Sequence, residues 1–337
     1  MGSAPGAAFM TKFQALFAAV SAVVLFLHGL QSFSHELQAV GGPALKTWLG
    51  LVTASRWRGF AIGALATAIV QSSSAITALT TALVDAAVIS FRASLGVLLG
   101  SNVGTTATAW LVSLKLTGIG PFFIVVGALL SAVPLRARVI GKAVFYFGLI
   151  FFALDLISAT LTPLQQLPEF KEWLALAQAP WRGVLTGLIF TALIQSSSVT
   201  TGVGILLVQQ GILPPEAAIS IVIGANVGST STALLASFGM SSNARATATA
   251  NFLFNAAGAA IIFPFLRPFA HAMIDAAANP GIAVAWAHLV FNLGIAVVFL
   301  TTLDWVEPFL RRRLIADTTS ETRSGSTRAA ESPDHGG

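Results

Sequence analysis

The stretch Gln71-Ser72-Ser73-Ser74 recurs as Gln195-Ser196-Ser197-Ser198, and both copies lie inside apolar sequence. Four consecutive polar side chains in a hydrocarbon layer are costly unless neighbours or a ligand use them. The chain is 55% hydrophobic and only 9% charged, against about 25% charged in an ordinary soluble domain. It therefore reads as an all-α polytopic membrane protein. The net charge of +5 does not indicate a nucleic-acid partner, because the basic residues are scattered at the ends of apolar segments. Without cysteine, disulfides and thiolate metal or redox sites are excluded.

The quartets belong to a duplication. A shift of 124 residues brings Gln71 onto Gln195 and Asn102 onto Asn226. Between Trp57 and Thr77, 11 of 21 positions then match, including Gly63 with Gly187 and Thr77 with Thr201. Between Gly100 and Ala109, 7 of 10 match, and the quartet lies 31 residues before the Asn-Val-Gly core in both halves. The expected organisation is repeat 1 over 12–134, repeat 2 over 135–258, a C-terminal membrane segment over 259–313 and a polar, disordered tail over 314–337. Lys12 and the apolar run Phe13–Leu30 have the outline of a signal peptide. The matching run in the second half argues for a retained helix.

Arm lengths place the quartets deep in the membrane. Phe60–Val70 and Ala75–Val84, like Val184–Ile194 and Val199–Val208, are each about half of a ~30 Å core in helical rise. Each set predicts a re-entrant helical hairpin with its quartet at the tip, because non-helical backbone at that depth must be buried or line a cavity. Gly100–Gly104 and Gly224–Gly228 read as breaks in transmembrane helices, with glycines permitting unwinding around Asn102 and Asn226. Paired interrupted segments point to a transporter binding site.

Each repeat then has an odd number of full crossings, so the second is inverted. Seven crossings separate the termini, with Gly120–Val133 the shortest. Lys46, Arg56, Arg58, Arg92, Arg136, Arg138, Lys142, Arg245 and Arg311–Arg313 fall on one side, and Lys12, Lys115, Lys171, Arg182 and Arg267 on the other. The richer side, with the C-terminus, is expected to be cytoplasmic. Leu161–Pro180 is expected to lie along the interface.

No Lys or Arg lies near the quartets. An anion there would rest on hydroxyls, helix N-termini and backbone N–H groups. Hydroxyl, amide and carbonyl oxygens also suit Na⁺. An anion and cations neutralising one another would give a reason for coupled symport. An enzyme is disfavoured, since no His or acid lies beside the Ser-rich motifs. His28, His35, His271, His288 and His335 lack metal-ligand spacing. His288, in a stretch that echoes Ala250–Asn255, reads as a polar residue satisfied between helices. Asp85 is expected at a wetted hairpin end, and Asp155 to be buried with a possible cation role. Ser34, outside both motifs, is expected to matter less than Ser73 or Ser197.

The paired quartets, each followed after 31 residues by Asn-Val-Gly, resemble the type II sodium–phosphate cotransporter family over about residues 12–300. Ala285–Asn292 also looks like this family. The resemblance implies Na⁺-driven symport of inorganic phosphate by alternating access across a bacterial inner membrane, through an inverted-repeat fold. It implies that Gln71, Ser72, Ser73, Ser74, Thr77, Gln195, Ser196, Ser197, Ser198 and Thr201 line a shared phosphate and Na⁺ site. Asn102, Thr105, Thr106, Asn226, Ser229 and Thr230 would complete it. No cofactor is implied beyond the coupling ion. Another anion such as a carboxylate or sulfate, or a passive anion channel or exporter, remains open. Many bacterial relatives carry a regulatory helical domain, whereas only a short tail follows Arg313 here.

Overall fold

The computed structural model describes residues 5–50, 55–114, 116, 118–133, 136–164, 172 and 179–315, and among these the only regular structure is helical. The expected tail and most of the expected interfacial connector lie outside the described residues. The first half comprises α1 (Pro5–Gly50), α2 (Arg56–Val70), α3 (Ser73–Asp85), α4 (Phe91–Gly104), α5 (Thr106–Ser113), α6 (Gly120–Ala132) and α7 (Arg136–Leu164). The second comprises α8 (Pro180–Ile194), α9 (Ser197–Gln209), α10 (Pro215–Ser229), α11 (Ser231–Ala236), α12 (Ser242–Ile262), α13 (Leu266–Asp275), α14 (Pro280–Thr301) and α15 (Leu303–Leu314). Helix starts follow local chemistry. Ser90 accepts from the Ala93 amide at 3.2 Å to open α4, and Asn279 accepts from Ile282 at 2.9 Å ahead of Pro280 to open α14.

Six helical stretches among the described residues are long and apolar enough to cross a membrane: Phe13–Ala39, Phe91–Ser113, Arg138–Thr160, Pro215–Ala236, Ser242–Asp275 and Pro280–Thr301. The shortest of the seven expected crossings is the 13-residue α6, a rise of about 20 Å. Phe122, Val125 and Leu129 of α6 are exposed, as suits a lipid-facing surface. Its other face is glycine-smoothed, so that Gly127 lies against the Phe145 backbone and Gly120 against Phe152.

The expected unwinding at Gly100–Gly104 and Gly224–Gly228 is corrected by the structure. Asn102 and Asn226 sit within α4 and α10. The interruptions come at Thr105 and Thr230, whose dihedrals stay near helical (φ −60°, ψ −27° and φ −74°, ψ −16°). The glycines serve close packing instead. A Cβ on Gly63 or Gly100 would stand 2.2 Å from Val97 O or 2.0 Å from Phe60 O. A Cβ on Gly187 or Gly224 would stand 1.9 Å from Ile221 O or Val184 O. These are the same contacts 124 residues on. α2 therefore lies on α4, and α8 on α10, at backbone-to-backbone distance.

Two ends of the bundle are marked by contacts. Arg56, which opens α2, and Arg92, in the first turn of α4, both bond Asp304 of α15. Glu307 accepts from Arg311 at 2.8 Å and faces Arg92 at 3.7 Å. At the far end, Gln209 of α9 donates to Ser113 O at 3.2 Å and packs on Gly281. Pro180 and Pro214, which precede or open α8 and α10, border one cavity. The 22-residue α14, about 33 Å long, connects the two ends.

Candidate substrate site

Each quartet is a helix corner. The Gln adopts the left-handed region (φ +56° at Gln71, +59° at Gln195), and the next Ser is extended (φ −147° at Ser72, −145° at Ser196). A non-glycine residue held there costs about 1–3 kcal/mol and persists where the surroundings enforce it. The Gln amide still closes the helix behind it, onto Thr67 O at 2.7 Å and Thr191 O at 2.6 Å. After the corner, Ser72 Oγ accepts from the Ala75 amide at 3.3 Å. Each corner thus presents the carbonyl end of one helix and the amide end of the next, groups that a helix itself leaves unpaired.

The structure brings all eight quartet residues to one cavity of about 280 Å³. The remaining wall is α1: Leu30, Gln31, Ser34, His35 and Gln38. Apart from His35, no ionisable side chain lines it among the described residues. Ser34 donates to Val70 O at 2.9 Å and accepts from Gln38 at 3.1 Å. Ser34, which lies outside both motifs, thus borders the cavity and pins the end of α2 at the corner. Thr108 of α5 joins the halves, donating to Gln71 Oε1 at 2.8 Å and lying 3.4 Å from Ser198 Oγ. Sequence reasoning missed both contributions. Gln31, Ser34, His35 and Gln38 are spaced i, i+3, i+4, i+7, a polar stripe on an apolar helix that could have been read. Thr108 carried no such signal.

The other expected site residues do not line this cavity. The hydroxyls of Thr105, Thr106, Ser229 and Thr230 donate back to carbonyls three or four residues earlier at 2.7–2.9 Å. Thr77 and Thr201 are buried, and Thr201 Oγ1 has no partner. Asn102 and Asn226 enter two buried amide clusters. Asn102 donates to Asn251 at 3.3 Å, and Asn255 donates to the same oxygen. Asn226 Oδ1 accepts from Asn292 at 3.2 Å and faces His288 Nε2 at 3.3 Å. His288 is thus satisfied between helices at one nitrogen, while Nδ1 is without a partner, as are Asn255 Oδ1 and Asn292 Oδ1.

The acids lie elsewhere. Asp155 is not in the core but accepts from the Gly118 amide at 2.9 Å in the loop before α6. Asp85 ends its helix in the open, as expected. The Ser241 amide, at 2.6 Å, and the Ser241 side chain hold its carboxyl below the usual value.

The model of the family described as Na+/Pi-cotransporter matches residues 25–159 and 164–274. The chain belongs to that family. YqeW, an uncharacterized protein of Bacillus subtilis, is 30% identical over 281 residues, 82% of this chain and 91% of its own length. YjbB of Escherichia coli K12, provisionally named an inorganic phosphate export protein, is 30% identical over 295 residues. That alignment takes in 87% of this chain but 54% of YjbB, so the chain spans about half of that relative. The human sodium-dependent phosphate transport protein 2B is 31% identical over 98 residues, 28% of this chain and 14% of its own length. No solved structure matches the chain. This Na+/Pi-cotransporter family member is a membrane protein of a phosphate transport family, and its two quartets line one cavity.

Proposed function

We propose that the protein is a Na⁺-coupled phosphate symporter working by alternating access, with substrate and Na⁺ held between the two quartets. The carrying observation is the convergence of both corners on one cavity lined by no carboxylate, lysine or arginine among the described residues. Two helix N-termini there favour an anion, and two helix C-termini favour cations. Among the described residues, the Ser73, Ser74, Ser196 and Ser197 hydroxyls and the Gln195 side-chain amide make no hydrogen bond, and they are available to a ligand. Phosphate alone would bring uncompensated negative charge into the membrane, and Na⁺ alone the opposite. Bound together they neutralise one another, which is the physical basis of the coupling.

The architecture supports two inverted repeats with re-entrant hairpins. Helices α2 and α4 start at the Asp304 end, and α3 finishes six residues before α4 begins. The first hairpin so enters and leaves at that end. By the same logic the second enters and leaves at the Pro180 end. The arginine-rich Asp304 end is the cytoplasmic side in this reading. A reporter fused after Arg313 should be active in the cytoplasm, and periplasmic activity would reverse the topology.

YjbB's name favours outward transport as a second reading. A coupled carrier runs in either direction according to its gradients, so both readings share the same site. Radiolabelled phosphate binding to purified protein tests that site. Binding should require Na⁺ over K⁺, and arsenate should displace it while sulfate and succinate do not. Binding in K⁺ alone, or displacement by succinate, contradicts the proposal.

A further inference from the structure

The echo between Ala250–Asn255 and Ala287–Asn292 continues beyond the motif. A shift of 37 residues brings Asn255 onto Asn292, Leu266 onto Leu303 and Arg267 onto Asp304. Leu266 and Leu303 each open a short helix, α13 and α15, and each is buried. The 124-residue shift brings Arg56 onto Pro180 and Arg92 onto Glu216. The Arg92–Asp304 ion pair therefore has a counterpart at the opposite end of the bundle, Glu216 with Arg267, in which the charges are exchanged.

The two ends differ in state. Arg92 and Arg56 are bonded to Asp304, with Glu307 buried behind them. At the Pro180 end, Glu216 and Arg267 border a cavity of about 260 Å³ that also touches Pro180 and His271. Neither Glu216 nor Arg267 makes an ion pair among the described residues, although the two opposite charges border one cavity. An inverted-repeat carrier reaches its second state when its halves exchange conformations. The state of one end then predicts the other state of its counterpart.

We propose that Glu216 and Arg267 form a charge-exchanged ionic latch, open in this structure, that closes when the Arg92–Asp304 latch opens. The inference rests on the inverted-repeat transport reading. An exposed ion pair is weak, which suits a contact remade in every cycle. Glu216 and Arg267 are positioning residues here and touch no substrate. Their pairing would move α13 toward the first turn of α10, the helix that carries Asn226.

The chain has no cysteine, so introduced pairs report without background. Pro214→Cys with His271→Cys, on the wall of the same cavity and leaving Glu216 and Arg267 in place, in the full chain in membranes, should cross-link weakly with a short bis-methanethiosulfonate, which joins two thiols through reducible disulfides. Adding Asp304→Arg, which breaks the far latch, should raise the cross-linked fraction several-fold. Arg92→Glu should do the same, and guards against a folding defect peculiar to Asp304→Arg. Cross-linking should also stop transport until a reductant restores it. A cross-linked fraction unchanged by both far-end variants overturns the proposal, as does full transport by the cross-linked protein. The cross-link is read on a gel without any ion gradient. A failure of the Na⁺/phosphate reading would leave that result standing, and a failure of the latch would leave phosphate binding intact.

Discussion

The two quartet corners share a backbone and differ in how their side chains are employed. Gln71 and Gln195 have the same left-handed turn within 3° of φ (+56° and +59°). Yet the Gln71 side chain is committed, accepting from Thr108 and donating to Ala68 O, while that of Gln195 makes no hydrogen bond among the described residues. Ser72 caps its helix and Ser196 does not. Ser197 and Ser198 are buried, whereas Ser72–Ser74 are half-buried. Duplication preserved the frame that aims helix ends at the cavity. The first copy is tied more firmly to its surroundings, and the second has more groups left for a ligand.

The frame should be the most sensitive part, and equally so in both halves. Gly100→Val and Gly224→Val force side chains into the Phe60 and Val184 carbonyls. Each should cost about 3 kcal/mol or more, seen as loss of monodisperse protein on detergent extraction. If only one half were intolerant, the shared frame would be refuted. Next comes ligand contact. Ser73→Ala and Ser197→Ala each remove a hydroxyl from the cavity, and a hydrogen bond to a charged ligand is worth about 1.5–3 kcal/mol. Phosphate uptake at low substrate should fall about tenfold or more, with melting temperature unchanged. Normal uptake in both would remove the quartets from the site.

The glutamines separate the corners directly. Gln71→Ala should lower stability by about 1 kcal/mol through its lost hydrogen bonds, measured by thermal melting. Gln195→Ala should leave melting unchanged and raise KM for phosphate. The opposite assignment of effects would mean that the roles are reversed. The smallest effect concerns the Asp304 end. Hydrogen bonds from Arg92, then Arg56, hold the exposed Asp304 carboxyl below its usual value. Its contribution to stability is present above the ordinary carboxylate value and is lost as pH falls from there through the lowered one. Asp304→Asn should flatten the melting profile across that acidic window only, and an unaltered profile would argue against the pairing.

Much of the site was legible in sequence because a polar quartet inside apolar sequence has few other uses. Equal arm lengths also placed it at a corner. The glycines were misread for a physical reason. Gly100 and Gly224 can loosen a helix or bring two helices together, and only the facing Phe60 and Val184 carbonyls decide which. Thr108 was invisible because its partner, Gln71, is 37 residues away in sequence and meets it only through packing. The α1 stripe from Gln31 to Gln38, Ser34 included, is legible as polar residues at helical spacing, whereas the contact of Ser34 with Val70 arises only in the packed fold.

The central claim is coupling through the shared cavity. Its most direct test is phosphate flux in proteoliposomes under an imposed Na⁺ gradient, inward in one set and outward in the other. The account predicts net phosphate movement that reverses with the Na⁺ gradient and is lost in the Ser73→Ala, Ser197→Ala double variant. Flux of equal size in either direction without Na⁺ would contradict it.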